Sequence, residues 1–267
     1  VLTKLRAQGH KAGKFIVRQL RESSFKPRFN EMFFGENSPV LPPIYLDLGG
    51  QILRIEGRID RVDTYSDGQN LYARVIDYKS GFNSFDIARV WAGLDLQLLL
   101  YLRAVMGWQK APLPAGVFYL SLKDPFVSTE SLDEATIEKL IASELLMDGV
   151  FVDDPEVLAA LDHGAREGEK RVVKFSGRGK TPENGVSVTL LDKLLQHAVD
   201  EARRTAIEVT EGDISVHPLE DDKASCTYCD YASICRFEKN SGGNKVRDIE
   251  KVDWKGVKER LNEEGET

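Results

Sequence analysis

Long apolar runs are missing from this chain of 267 residues, and no secretory signal pattern opens it. A bilayer-spanning helix needs about 20 mostly apolar residues in succession, so the sequence predicts a cytoplasmic protein without membrane segments. A Gly-x-x-x-x-Gly-Lys-Ser/Thr loop is also missing, which excludes an ATP-driven motor formed by this chain alone. The chain opens on Val1 and not on methionine, and we expect a fragment of a longer protein.

Positive charge is scarce: 36 Lys and Arg stand against 43 Asp and Glu, for a net charge of −7. Non-specific affinity for DNA comes largely from cations that neutralise phosphates, so the composition argues against a free-standing DNA coat. It leaves room for an enzyme acting on DNA whose metal ions supply the local positive charge. The length is enough for one large domain with a substantial core.

Two acids and a lysine are the most informative residues of the chain. Asp60 lies in one β-like segment, and Asp77 and Lys79 end the next, with a polar turn at Asp67-Gly68 between them. This pattern predicts a β-hairpin in which Asp77 and Lys79 share a face and Asp60 comes alongside. Carboxylates that hold Mg²⁺ or Mn²⁺, beside a lysine that orients water, predict hydrolysis of a phosphodiester. The alternative is an ordinary Asp-x-Lys pair at a strand end.

The remaining periodicity predicts an α/β fold. We expect Pro27 to end the first helix and Ser84 or Asn83 to cap a long helix reaching about residue 105. Within that helix Gln97 and Tyr101 lie four residues apart, either as a boundary position or to order the substrate phosphate or the lysine. Helices are expected at 2–21, 84–105 and 189–209, and strands at 28–34 (carrying Glu31), 44–48 and 116–122.

The segment 133–187 is predicted to be a helical insertion in a core that ends near residue 210. It holds two short helices broken near Gly149 and at residues 153–155, and then a mobile, glycine-rich loop over 164–187. Basic residues of this loop either contact a DNA backbone or are simply solvated: Lys170, Arg171, Lys174, Arg178 and Lys180. His10, in the first helix, lacks acidic neighbours in sequence, and we expect a surface role for it in preference to metal binding.

All three cysteines, Cys226, Cys229 and Cys235, lie in the predicted C-terminal extension over 211–267. Three thiols so close together in a reducing compartment are better metal ligands than disulfide partners. They provide three of the four thiolates that a [4Fe–4S] cluster needs. Zinc with His217 as a fourth ligand, and a buried turn without metal, are the alternatives.

Together these motifs resemble the RecB-type nuclease domain of the PD-(D/E)XK superfamily. The resemblance rests on residues 57–63, 75–81, 97–101 and the cysteines, and it spans nearly the whole chain. More narrowly, the chain is similar to the C-terminal part of the B subunits of bacterial AddAB-type helicase–nucleases. The resemblance implies a central mixed sheet flanked by helices, with a C-terminal iron–sulfur extension. The histidine that RecB-like sites often use has no convincing match.

The resemblance also implies roles for individual residues. Asp60, Asp77 and the Tyr78 carbonyl are expected to bind Mg²⁺ or Mn²⁺, and Lys79 to be the catalytic lysine. Gln97, Tyr101 and Glu31 are expected to complete the catalytic site. The three cysteines are expected to bind a [4Fe–4S] cluster whose fourth cysteine lies upstream of this fragment.

For the whole protein, the resemblance implies a deoxyribonuclease that works with an AddA-like helicase–nuclease partner. It is expected to cleave the 5′-ended single strand as a broken duplex is unwound, in recombinational double-strand break repair in bacteria. Two alternatives remain: a stand-alone RecB-like exonuclease of the CRISPR-associated kind, and a non-catalytic module that grips DNA.

Overall fold

The computed structural model describes residues 2–81, 84–122, 127–129, 133–177, 182–219, 226, 229–239 and 241–263. Within the first helix, the side chains of residues 2–8 and 11 are not described. None of the helices in these ranges is both long and apolar enough to cross a membrane.

A six-stranded mixed sheet forms the centre of the fold, in the order β1-β4-β5-β6-β7-β8. The β5/β6 and β7/β8 pairs are parallel, and the other neighbours are antiparallel. A separate hairpin is formed by β2 and β3. The strands are β1 (Lys26–Phe34), β2 (Ile44–Asp47), β3 (Ile52–Ile55), β4 (Gly57–Ser66), β5 (Leu71–Lys79), β6 (Leu113–Ser121), β7 (Asp148–Val152) and β8 (Gly185–Val186).

Helices cover both faces of the sheet, as predicted. On one face, Gln97 of the helix α3 (Gln97–Met106) contacts Lys79 of β5. On the other face, Gln19 of the helix α1 (Leu2–Arg21) contacts Arg61 of β4. Side chains alternate along a strand, so Lys79 and Arg61 project to opposite faces of the sheet. The helices are α1 (Leu2–Arg21), α2 (Ile87–Trp91), α3 (Gln97–Met106), α4 (Glu134–Glu144), α5 (Pro155–Leu161), α6 (Val188–Thr210), α7 (Ala232–Cys235) and α8 (Trp254–Glu263), with a short 3-10 helix at His163–Glu167.

The hairpin of β4 and β5 and the helix α6 confirm the sequence prediction. Both depend on local signals. Asp67 accepts hydrogen bonds from the backbone N–H groups of Gln69 and Asn70 in the hairpin turn, and Ser187 caps α6 by accepting from Leu190 N. The buried residues of α6 form an apolar stripe that faces the core: Leu190, Leu191, Leu194, Leu195 and Ala198.

The prediction of one long helix over 84–105 is wrong. Two helices, α2 and α3, replace it, and Asp86 caps α2 by accepting hydrogen bonds from Ala88 N and Arg89 N. The break between them contains Gly93 at φ +77° and Asp95 at φ +49°, left-handed conformations that end an α-helix. Of the two predicted caps, Ser84 does not cap a helix and Asn83 lies outside the described residues.

The expectation that Pro27 ends the first helix is also wrong. The helix α1 ends at Arg21, and Pro27 lies inside β1, beside an irregularity in its pairing with β4. Proline is tolerated there because β1 is an edge strand of the sheet, where a missing N–H donor costs little.

The segment 133–187 is more than the helical insertion and mobile loop predicted for it. Between α4 and α5 it contributes β7, and after the 3-10 helix it contributes β8, both strands of the central sheet. Val172 and Val173 are fully buried. The buried carboxylate of Asp162 organises this stretch, because it accepts hydrogen bonds from Gly164 N, Arg171 N, Val172 N and Val173 N.

The C-terminal part of the chain returns to the core through α8. Val257 and Leu261 of α8 are buried, and the helix contacts α6 and α2. Lys193 of α6 donates a hydrogen bond to Leu261 O at 2.7 Å, a favourable position for a cation near a helix C-terminus. The division of the chain near residue 210 stays a prediction.

Candidate active site

Strand pairing brings the two predicted acids together on one face of the sheet. Arg61 is paired with Ile76 across β4 and β5, so the next position places Asp60 opposite Asp77. On its other side, Asp77 is paired with Tyr119 of β6. Laterally paired residues project to the same side of a sheet. Asp60, Asp77 and Tyr119 therefore form a row across three neighbouring strands.

Asp60 is fixed to the strand that carries the other two predicted residues. Its Oδ2 accepts a hydrogen bond from the backbone N–H of Tyr78 at 2.8 Å. The side chain of Tyr78 points to the opposite face, where its hydroxyl lies 3.4 Å from Arg61 Nη1. The Tyr78 carbonyl stays a predicted ligand.

Asp77 is the most buried acid of the row, with 4% of its surface exposed. Burial raises its pKa, the nearby Lys79 ammonium opposes that rise, and the charge of Asp60 adds to it. Its Oδ2 lies 2.8 Å from Lys79 Nζ, yet no well-aligned hydrogen-bond donor reaches that atom within the described residues. A buried carboxylate oxygen in this state is suited to receive a cation.

Lys79 is held from several sides. Besides Asp77, its Nζ donates a hydrogen bond to Gln97 Oε1 at 3.3 Å and lies 5.2 Å from the centre of the Tyr119 ring. Gln97 is itself oriented, because its Nε2 donates to the hydroxyl of Tyr101 at 2.8 Å. The ring of Tyr101 packs edge-on against Phe34 of β1. The structure thus places Gln97 and Tyr101 beside the lysine.

The backbone of Glu31 lies beside Asp60, but its side chain points elsewhere. The pairs Asn30–Arg61 and Met32–Ile59 flank it, so its backbone lies opposite Asp60 on the edge strand. Its φ of +49° is uncommon for a non-glycine residue. The side chain is 67% exposed and its carboxylate is 4.0 Å from Arg58 Nη1. A role at the site stays a prediction for Glu31.

Asp63, in the same motif as Asp60, belongs to the opposite face. Arg61 donates to both of its carboxylate oxygens, at 2.6 and 2.7 Å, and Arg74 donates to Oδ2 at 2.9 Å. All three side chains are buried, and Gln19 of α1 accepts from Arg61 Nη1. This ionic group attaches α1 to the back of the strands that carry the acids.

The carboxylate oxygens of Asp60 and Asp77 are the kind of ligand that a hard divalent cation prefers. Mg²⁺ and Mn²⁺ are bound by carboxylate and carbonyl oxygens and keep several waters, so two aspartates are a sufficient protein contribution. Among the residues that the structure describes, no group of three His, Cys, Asp or Glu side chains is placed to hold a metal. Asp60 and Asp77 therefore fit as a pair, without a third acid.

The structure does not bring the cysteines together as a metal site. Cys226, Cys229 and Cys235 are exposed and carry free thiols, and no metal-binding group includes them in the described part of the chain. His217, the alternative zinc ligand, is also exposed. The iron–sulfur cluster stays a prediction, and the three cysteines of this chain are one thiolate short of the four that such a cluster needs.

The other predicted contacts have mixed outcomes. His10 is exposed on α1, in agreement with a surface role. Lys170 donates to Phe175 O, and Arg171 forms ion pairs with Glu22, Glu167 and Glu169. Arg171 is therefore engaged within the protein. Arg178 and Lys180 lie outside the described residues.

Tyr119 is a site residue that the sequence reasoning missed. It is 8% exposed, and burial raises its pKa, with the charges of Asp95 and Asp77 adding to the rise. Asp95 forms an ion pair with Arg89 at 2.6 Å. The predicted β6 strand contained Tyr119, but only the parallel pairing with β5 identifies Asp77 as its neighbour.

The fold and the geometry of the site agree with the protein family that sequence comparison identifies. A sequence profile of the PD-(D/E)XK nuclease superfamily matches residues 3–236, and the chain belongs to that superfamily. It is also similar to three bacterial proteins that are named as the B subunits of ATP-dependent helicase/deoxyribonucleases. It is 35% identical to that of Exiguobacterium sibiricum over 95% of the chain, 35% identical to that of Caldanaerobacter subterraneus subsp. tengcongensis over 96%, and 33% identical to that of Clostridioides difficile over 88%.

The similarity covers a small part of each relative. The matched region is 23% of the first two proteins and 21% of the third. The chain thus spans less than a quarter of the length of these curated relatives.

Proposed function

We propose that this chain is the nuclease domain found in the B subunits of ATP-dependent helicase/deoxyribonucleases, and that it hydrolyses DNA phosphodiester bonds with Mg²⁺ or Mn²⁺. The observation that carries the proposal is the placement of Asp60, Asp77 and Lys79 on one face of β4 and β5. The names of the relatives support the assignment to the B subunits.

The chemistry follows from the charges at the site. Asp60 and Asp77 would hold the cation, which when bound withdraws negative charge from the scissile phosphate. The Lys79 ammonium is a compact donor beside that position, suited to orient the attacking water and to stabilise charge that develops on the phosphate. Gln97 and Tyr101 restrict where this ammonium lies, so little reorganisation is needed when the phosphate arrives.

The finer proposal concerns the whole protein. We place the domain in a complex with an AddA-like helicase–nuclease partner, which delivers single-stranded DNA from an unwound duplex end. The domain then cleaves the 5′-ended strand exonucleolytically during recombinational repair in the bacterial cytoplasm. A [4Fe–4S] cluster on Cys226, Cys229, Cys235 and an upstream cysteine would attach the C-terminal segment to another part of the protein.

Cleavage by the intact protein with its helicase partner tests the proposal. Asp77→Asn and Lys79→Ala are compared with Asp200→Asn and Lys255→Ala, which change an aspartate on α6 and an exposed lysine on α8. We expect the two site variants to slow cleavage of the 5′-ended strand by about 10²-fold or more, while both controls cleave as the parent does. Undiminished cleavage by Asp77→Asn would show that the acids do not form the active site.

Metal binding provides a second readout without turnover. A ligand that binds only the folded state raises the melting temperature as its concentration increases. We expect Mn²⁺ to stabilise the parent protein and Asp200→Asn equally, and to lose that effect in Asp60→Asn and Asp77→Asn. A non-catalytic DNA-gripping module predicts the same Mn²⁺ response for all four proteins.

A further inference from the structure

The aromatic ring of Tyr119 is a feature of the site that the chemistry proposed above does not use. Lys79 Nζ lies 5.2 Å from the ring centre, on the same face of the sheet as Asp77, to which Tyr119 is paired. Only 8% of Tyr119 is exposed. The ring is therefore held in place by its surroundings, and the Lys79 ammonium lies over its face.

A ring in this place acts on the ammonium differently from an aliphatic side chain. The face of an aromatic ring carries negative charge density and attracts a cation within about 6 Å of its centre, most strongly where water is excluded. The Lys79 side chain is 26% exposed, so part of its hydration is replaced. Asp77 and Gln97 attract the ammonium through oxygen atoms, and the ring adds attraction without accepting a further hydrogen bond.

We propose that Tyr119 is a positioning residue that holds the Lys79 ammonium at the reacting phosphate through the face of its ring. This inference rests on the proposed function and deepens it. A divalent cation held by Asp77 would compete with the Lys79 ammonium for that carboxylate, and the lysine would then lose part of its contact with it. The ring is unaffected by this competition and still restricts where the ammonium lies.

The neighbouring ring of Phe118 provides a matched control. It is adjacent in β6, fully buried, and alternation directs it to the opposite face, where it packs against Phe151. Tyr119 and Phe118 thus differ in whether they meet Lys79, and share their strand and their burial.

The test replaces each ring by phenylalanine carrying one, two or three fluorines, in the intact protein with its helicase partner. Fluorine withdraws charge from the ring face with little change in size. Tyr119→Phe is expected to keep kcat within about twofold, since the ring face remains. Successive fluorines at position 119 are expected to lower kcat stepwise, and Tyr119→Leu to lower it by roughly three- to thirtyfold, with KM unchanged. The same fluorines at Phe118 are expected to leave kcat constant.

A double-mutant cycle with Lys79→Met completes the test. If the ring acts through the lysine, Tyr119→Leu has no further effect on cleavage in the Lys79→Met protein. Equal rates across the fluorine series at position 119, with a slow Tyr119→Leu, would show that the ring only fills space and would overturn the inference. The Asp77→Asn variant distinguishes failure of this inference from failure of the proposed function. If Asp77→Asn still cleaves DNA at the parent rate, the proposed function is wrong, independently of the result at Tyr119.

Discussion

Asp60 and Tyr78 are joined across β4 and β5 by a hydrogen bond of 2.8 Å from the backbone N–H of Tyr78 to Asp60 Oδ2. Tyr78 is the residue between Asp77 and Lys79. This bond therefore sets the first acid against the segment of β5 that carries the second acid and the lysine. A carboxylate held by a backbone N–H has little freedom to rotate, so Asp60 is preorganised on the strand.

Gln97 is expected to contribute to turnover through Lys79. Gln97→Ala removes the acceptor at 3.3 Å from Lys79 Nζ, and a hydrogen bond to a charged group contributes about 1.5–3 kcal/mol. We expect kcat to fall about tenfold to hundredfold, with the melting temperature nearly unchanged. Steady-state cleavage measures this against Gln196→Ala, which changes an exposed glutamine of α6. Equal rates in the two variants would contradict a positioning role for Gln97.

Asp162 is expected to be essential for the stability of the segment after α5. Asp162→Ala leaves four backbone N–H groups without their acceptor, three of them on Oδ2. Loss of several buried hydrogen bonds predicts a decrease in the free energy of unfolding of about 3 kcal/mol. Denaturant unfolding measures it, with the exposed Asp213→Ala as the control. A change no larger than that of the control would show that other contacts hold this segment.

Gly149 is expected to tolerate no side chain. A Cβ atom there would overlap Val117 O of the neighbouring strand, so β6 and β7 would have to separate. We expect Gly149→Ala to lose about 3 kcal/mol or more. By contrast, Gly13 lies in α1 with nothing near its Cβ position, and Gly13→Ala is expected to stabilise by about 0.5–1 kcal/mol. Thermal unfolding measures both changes: the melting temperature is expected to fall in Gly149→Ala and to rise in Gly13→Ala.

Asp148 is expected to make stability decrease as the pH rises from acid. Burial is the main cause that raises its pKa above 3.8, and Lys174 only partly opposes it. Because the folded state then binds the proton more tightly than the unfolded state, its contribution is fully present below pH 3.8 and is lost as the pH rises through the raised pKa. Asp148→Asn is expected to remove this slope.

Unfolding measured from about pH 3 to pH 7 checks the sign. Asp67 serves as the opposite case, because backbone N–H groups of Asn70 and Gln69 lower its pKa. Its contribution is present above the ordinary pKa and is lost as the pH falls. If the free energy of unfolding depends on pH in the same way in the parent protein and in Asp148→Asn, the expected rise in the pKa of Asp148 is contradicted.

Several parts of the site could be read from the sequence because their signals are local. Asp77 and Lys79 share a face since they lie two residues apart on one strand, and the Asp67 turn brings β4 back beside β5. The four-residue spacing of Gln97 and Tyr101 likewise places them together on α3. The strand β7 was missed because it lies between two helices, and its pairing with the distant β6 is not visible in its own residues.

The sequence by itself determined the order of the hairpin, the common face of the two acids and the lysine, and the membership of the chain in a nuclease class. Only the tertiary structure decided that Tyr119 lies against Lys79, that Gln19 of α1 contacts Arg61 behind the acids, and that the Glu31 side chain points to Arg58. The physical reason is range. Side-chain alternation and turn chemistry act over a few residues, whereas the parallel pairing of β5 with β6 is set by packing between segments far apart in the chain.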